Sequence, residues 1–203
     1  MFKNRRVQKR YILMTKVPDV MKGDFRKILD PFPVYKQETD HTCGPASMRM
    51  ALEFLGNAQP EHRLAMHALT LPTGALHLPM LWAYRRFLKP LGLSVVMSQD
   101  DPDVYEKIKA ALADGLPTMI IFSVIDEFHP PNKVMHYAVV MGLDEPAGVI
   151  HLANPFGHMQ KMPIGEWWDR FSHAPEHASM LTKLLLFTRL LKTKTCFLLS
   201  RKS

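Results

Sequence analysis

The chain predicts an α+β fold, because helical patterns fill most of the stretch from residue 43 to 114 and apolar, strand-like runs dominate after residue 118. Its 203 residues are 47% apolar and 22% charged, enough to bury the core of one domain. No apolar run is long enough to span a bilayer. Residues 1–32 read as a basic N-terminal arm, with a strand near Tyr11-Ile-Leu-Met14 and an irregular crossing marked by Pro18 and Pro31, and residues 33–203 as the domain proper. The first helix is expected from Cys43 to Leu55, with Thr42 as N-cap and Gly56-Asn57 as its stop. Helices follow near Glu61 to Leu69, Leu78 to Leu88 and Pro102 to Asp114, the last behind Asp100-Asp101. Strands are expected at Ser94 to Met97, Thr118 to Val124, His136 to Leu143, Val149 to Ala153 and Thr195 to Ser200. Glu145-Pro-Ala-Gly148 supplies the turn of a hairpin. There is no internal repeat and no low-complexity segment.

Chemistry concentrates at Cys43, which opens the first helix six positions after Gln37. Unpaired N–H groups and the positive end of the helix dipole favour thiolate there, so a lowered thiol pKa is expected. The Cys43 N–H and the Gln37 side-chain amide, joined by so short a loop, suit the two donors an oxyanion needs. Acyl transfer from an amide also requires a base that later protonates the leaving amine. His136, near the start of an apolar strand, is the candidate. Asn154 ends the returning strand of the hairpin, where its amide is placed to fix the imidazole tautomer without adding charge. Taken singly, each has a plainer reading: a packing cysteine, a satisfied core histidine, a turn asparagine before proline. Their order and local contexts together favour a nucleophilic site.

These residues resemble the papain-like cysteine peptidases, and most closely the C39 peptidase and C39-like group. In that resemblance Gln37 matches the oxyanion glutamine, Cys43 the nucleophile, His136 the general base and acid, and Asn154 the orienting residue. Pro72-Thr-Gly74 followed by Leu81-Trp-Ala-Tyr-Arg-Arg-Phe-Leu, Gly92-Leu-Ser-Val-Val, and Asp114-Gly-Leu-Pro117 ahead of an apolar strand extend it over roughly residues 33 to 172. It implies a papain-like two-layer domain, the cysteine helix packed against a mainly antiparallel sheet closed by Cys196-Phe-Leu-Leu-Ser-Arg. The implied activity is cleavage of a peptide or isopeptide bond in a peptide or protein substrate, with no metal or organic cofactor. One departure stands out: many C39-like members carry aspartate where this chain has Asn154-Pro155, and Asn154-Pro-Phe156-Gly157 is closer to papain's own pattern. Phe156 then matches the aromatic that shields asparagine and histidine from water. Two other readings stay open, a thiol acyltransferase of transglutaminase type, and a binding module whose thiol site is vestigial.

Charge is unevenly spread. Residues 1–36 carry +7 and residues 178–203 carry +6, which leaves −6 of the total +7 for residues 37–177. Two basic ends on an acidic body suit an acidic protein, an anionic lipid surface or nucleic acid as partner, or serve only as solvated flanks. The basic start is not expected to act as a secretory signal, since the apolar stretch behind it is short and broken by Lys16 and Pro18. Two distant cysteines, Cys43 and Cys196, make no disulfide framework, so a reducing, cytoplasmic compartment is expected, with signal-less delivery outside the cell left open. Two decoys complete the reading. His173-Ala-Pro-Glu-His177 has the string of an inverted zinc-peptidase helix, but Pro175 sits inside the required turn and no further Asp, Glu or His follows. Leu181–Lys192 has the pattern of a basic amphipathic helix, of a kind that lies on a membrane or packs on the body it follows.

Overall fold

A computed structural model describes residues 21, 23–72, 74–125, 133–173, 184, 187–188 and 192–202. The strand expected near Tyr11, all of Leu181–Lys192 except residues 184, 187, 188 and 192, and the zinc-like string after His173 lie outside these residues. Among the described residues the chain runs β1 (Arg26–Ile28), α1 (Cys43–Phe54), α2 (Glu61–His67), α3 (His77–Leu88), β2 (Leu93–Ser98), α4 (Val104–Ala113), β3 (Thr118–Ile125), β4 (Lys133–Asp144), β5 (Val149–Asn154), β6 (His158–Pro163), α5 (Ile164–Ser172) and β7 (Cys196–Arg201). A single 3-10 turn, Lys89–Leu91, links α3 to β2. The architecture is α+β, and every strand pairing is antiparallel.

The strands form one seven-stranded sheet in the order β2-β7-β3-β4-β5-β6, with β1 added to β4. β4 is the hub, since its first two thirds pair with β3 and its last three residues with β1. β5 returns along its other edge, through a turn in which the Gly148 N–H reaches the Glu145 carbonyl at 2.9 Å. The central strands are buried on both faces: Met119 to Phe122 and Tyr137 to Met141 are at most 4% exposed. Their continuous apolar runs reflect helices packed over the sheet. α1 packs on β3, β4 and β5 on one side and against α2 and α3 on the other. Hence Gly44 through Met48, with Met50 to Leu52, are all buried, a wider stripe than a surface helix carries.

Three elements were not expected from the sequence. β1 is three residues long, too short to give an alternating pattern. It lies within the stretch read as an arm, yet it pairs with β4, and Leu29 and Phe32 beside it belong to the core. β6 is an edge strand in which Met162 is the one fully buried side chain, so its sequence carries almost no apolar signal. α5 follows at once behind Pro163, burying Ile164, Trp167 and Phe171, with the Trp167 and Phe171 rings stacked 5.1 Å apart. The 164, 167, 171 spacing is helical and was readable.

Candidate active site

Cys43 is the first residue of α1 and Thr42 its N-cap, as expected, but the Thr42 hydroxyl does not cap the helix. It accepts instead from the Thr39 N–H at 3.1 Å, closing the loop that precedes the cysteine. Gly44 follows because space is lacking: a Cβ there would stand 3.1 Å from the Met80 Sδ and 3.3 Å from the Ala75 Cβ. The cysteine end of α1 is thus pressed against α3, while on its other side the Tyr137 N–H of β4 lies near enough to the sulfur to favour its charged form. This packing reverses the expectation drawn from the helix start. Burial pushes the Cys43 thiol above its ordinary pKa, and the N–H groups of Tyr137, Gly44 and Cys43 itself only partly oppose it. Cys196 lies fully buried in β7, its thiol pushed up to about 12 by burial.

His136 sits beside Tyr137 on β4, only 3% exposed, and Asn154 ends β5 at 2%. The hairpin return brings them together, with His136 Nε2 3.0 Å from Asn154 Oδ1. Four further contacts lock this geometry. Asn154 Oδ1 also accepts the Phe156 N–H at 3.0 Å, and its Nδ2 donates to Gln160 Oε1 at 2.8 Å. The amide orientation is therefore set on both sides, and Nε2 is the imidazole nitrogen that donates to Asn154 Oδ1. The Phe156 ring stacks on the imidazole with centroids 4.3 Å apart and 23° between planes, while Phe122 meets it edge-on at 6.2 Å. Gln160 was missed because β6 was missed.

Gln37 is 5% exposed and is tied to the Asn154 hairpin through its backbone, its N–H donating to the Pro155 carbonyl at 2.7 Å. The neighbouring Lys36 bridges to Phe156. Gly157 makes that approach possible, since a Cβ there would lie 2.9 Å from the Lys36 Cβ and its φ is +92°. The Gln37 side chain donates from Nε2 to the Thr39 carbonyl at 2.6 Å, and its Oε1 has no partner among the described residues. One N–H of the amide thus aims the group, and the other is uncommitted. Of the four expected residues, His136 is joined directly to Asn154, Gln37 is joined to the turn that follows Asn154, and Cys43 lies near Tyr137, the strand neighbour of His136.

A second histidine lies close by. His77, at the start of α3, is pushed down to about 4 by burial and meets the Tyr137 ring edge-on at 6.2 Å. The Tyr137 hydroxyl donates to the Ala75 carbonyl at 3.4 Å, so the strand bearing His136 is braced against the segment packed on Gly44. A neutral, buried His77 serves packing here. Among the described residues no three His, Cys, Asp or Glu side chains gather as a metal site would require.

Comparison with known proteins agrees with this fold. Residues 29–174 match the model of the Peptidase_C39 like family. Among solved structures, the chain is similar to a protein from Bacillus anthracis described as a C39-like peptidase, at TM-score 0.62 and 16% identity over 89% of this chain and all of that one. It is also similar to a double glycine motif protease from an AMS/PCAT transporter, solved with its leader peptide (0.51, 18% identity, 86% of this chain and 97% of that one). A third likeness is to xylellain, a cysteine protease from Xylella fastidiosa (0.53, 12% identity, 90% of this chain and 88% of that one). Identities this low speak for the fold. The chain matches no curated protein sequence. The family match spans most of the chain and the fold agrees with it independently; the chain belongs to the Peptidase_C39 like family, in the papain-like cysteine peptidase group.

Proposed function

We propose that the chain is a cysteine peptidase that hydrolyses a peptide or isopeptide bond, with Cys43 as nucleophile, His136 as base and acid, Asn154 as orienting residue and Gln37 as oxyanion donor. The observation that carries the reading is the hydrogen bond between His136 and Asn154, fixed from behind by Gln160 and Phe156. The Cys43 proton passes to His136 as sulfur attacks the carbonyl carbon. The oxyanion that forms is met by the Cys43 N–H and the uncommitted N–H of Gln37. The imidazolium then returns its proton to the leaving nitrogen, which departs as amine and leaves a thioester on Cys43. His136 next draws a proton from water, whose oxygen attacks the thioester, and the acid product leaves as the thiol is restored. Burial that raises the thiol pKa favours a neutral thiol at rest, and the residue that orients His136 is an amide that adds no charge.

The likeness to a double glycine motif protease solved with a leader peptide supports peptides as the substrate class. The basic ends are read as docking elements for an anionic partner, whether acidic protein, lipid surface or nucleic acid, and two free thiols fit a reducing, cytoplasmic setting. Among the described residues no helix is long and apolar enough to cross a membrane.

The test is a proteome-derived peptide library incubated with the parent, Cys43→Ala and His136→Ala, followed by mass spectrometry. New peptide ends with the parent alone are the expected result. Products joined to an added primary amine, in preference to water, would identify an acyltransferase. No product from any folded variant would leave a binding module.

A further inference from the structure

Glu61 opens α2 and is completely buried, an unusual place for a carboxylate. Its surroundings account for it. Oε1 accepts the Glu38 backbone N–H at 2.9 Å. Oε2 makes no hydrogen bond among the described residues, although the Thr42 hydroxyl stands close enough to favour the charged carboxylate against the burial that raises its pKa. Glu38 directly follows Gln37, and Thr42 directly precedes Cys43. One hydrogen bond therefore fixes the loop next to Gln37, and the same carboxylate lies beside Thr42, the residue before Cys43.

The rest of the loop transmits that grip. The Gln37 N–H is held from the far side by the Pro155 carbonyl at 2.7 Å, so the backbone at 37 and 38 is pinned in two directions. Thr39, one residue on, receives the Gln37 Nε2 on its carbonyl at 2.6 Å and gives its own N–H to Thr42 Oγ1 at 3.1 Å. Freeing Glu38 would shift Thr39, and with it the group that aims the Gln37 amide. We propose that Glu61 is a positioning residue of the oxyanion site, which fixes the Gln37 amide relative to the Cys43 N–H through Glu38 and Thr42. This rests on the peptidase reading above.

Such a role acts where an oxyanion forms and is silent where none does. Acetylation of Cys43 by p-nitrophenyl acetate passes through a tetrahedral oxyanion: sulfur bonds to the acetyl carbon and p-nitrophenolate leaves. Alkylation by iodoacetamide displaces iodide directly and forms none. In Glu61→Ala the acetylation rate should fall by about 10²-fold, the effect of an ångström-scale misplacement, with alkylation within about twofold of the parent. Amide exchange over residues 37–42 should quicken in the same variant. Glu61→Gln keeps a carbonyl for the Glu38 N–H and should restore acetylation to within about threefold. Should Glu61→Ala not fold, Glu61→Met fills the space without an acceptor and takes its place. Equal loss of both reactions without rescue by Glu61→Gln, or unchanged acetylation and exchange, overturns the positioning role. A parent acetylated no faster than Cys43→Ala overturns the peptidase reading and this proposal with it, whereas an acetylated parent matched by Glu61→Met overturns Glu61 alone.

Discussion

Charge decides how Cys43 and His136 rest. Asn154 brings no charge of its own to the imidazole, and burial works against thiolate, so the proton should stay on sulfur until a carbonyl arrives. Iodoacetamide labelling of Cys43 should then climb steadily as pH rises past neutrality, without a plateau on the acid side. A rate already flat at pH 5 would reveal a resting ion pair and defeat this account. At every pH Cys43 should still react ahead of Cys196, whose thiol is fully buried and pushed up to about 12. Asn154→Asp restores the charge that many C39-like members carry. It should raise the pH at which His136 loses its proton and give the labelling profile an acid shoulder. Asn154→Ala removes the acceptor at 3.0 Å and should cost about 10²-fold in turnover, the lower end of what general acid and base catalysis contributes. Gln37→Ala should lower turnover by about 10²- to 10³-fold, the usual loss of one oxyanion donor, and leave alkylation nearly intact.

At the scale of elements, the site is a junction between the start of α1 and the β5–β6 hairpin. The hairpin turn holds Asn154, Phe156 and Gly157, and it meets the Gln37 loop through Lys36 and Pro155. Gly157→Ala would put a Cβ 2.9 Å from the Lys36 Cβ at a φ of +92°. Such strain costs about 1–2 kcal/mol, which for a domain of this size lowers the melting temperature by roughly 2–8 °C. Turnover should fall as well, because the strain bears on both Gln37 and Asn154; an unchanged melting curve by calorimetry would show that the junction yields freely. How far such a junction was legible follows from its parts. α1, β4 and β5 were readable because their apolar patterns are long and their stops are marked by Gly56 and Gly148, and His136 and Asn154 were readable as their landmarks. Gln160 was hidden, since it faces Asn154 from an edge strand with almost no buried face. Glu61 looked like an ordinary acidic residue in a first helical turn, and only tertiary packing makes it a buried one. The thiol environment was misread for the same reason: the dipole of α1 is local and visible, whereas the wall formed by Met80, Ala75 and Tyr137 comes from distant segments.

At the scale of the molecule, β1 joins the N-terminal stretch to the body around Glu145. Burial works to raise the Glu145 pKa, but the Lys109 ammonium at 2.9 Å, the Phe25 N–H at 3.0 Å and the Tyr105 hydroxyl at 2.9 Å prevail and hold the carboxyl below its ordinary value. A depressed folded pKa stabilises above the unfolded value and is lost as pH falls through the folded one. Glu145→Gln should therefore lower the melting temperature at pH 7, by the equivalent of about 1–3 kcal/mol for hydrogen bonds to a charged group. The gap to the parent should narrow as pH drops from 5 towards 3, and a gap independent of pH would sink the charge argument.

The same clasp separates two meanings of the basic N-terminus. Residues 1–20 carry six Lys or Arg against one Asp and precede every element described, whereas residues 21–30 supply Met21 and Leu29 to the core, the Phe25 N–H to Glu145 and Arg26 to Asp144 at 3.0 Å. Removing residues 1–20 should leave the melting temperature within about 2 °C, since none of these contacts is touched. Catalysis on a small peptide should survive. If the charges dock the enzyme, binding to vesicles containing anionic lipid or to nucleic acid should weaken in that truncation, and in the full chain it should decline as salt rises, because screening shortens the reach of exposed charges to about 10 Å at 0.1 M. Removing residues 1–30 also strips β1 from β4 and leaves Glu145 without its Phe25 partner, so the melting temperature should drop sharply and peptide cleavage should fall with it. Equal binding by the full chain and the shorter truncation at low salt would refute docking through this end and leave residues 178–203, with their +6, as the remaining basic surface.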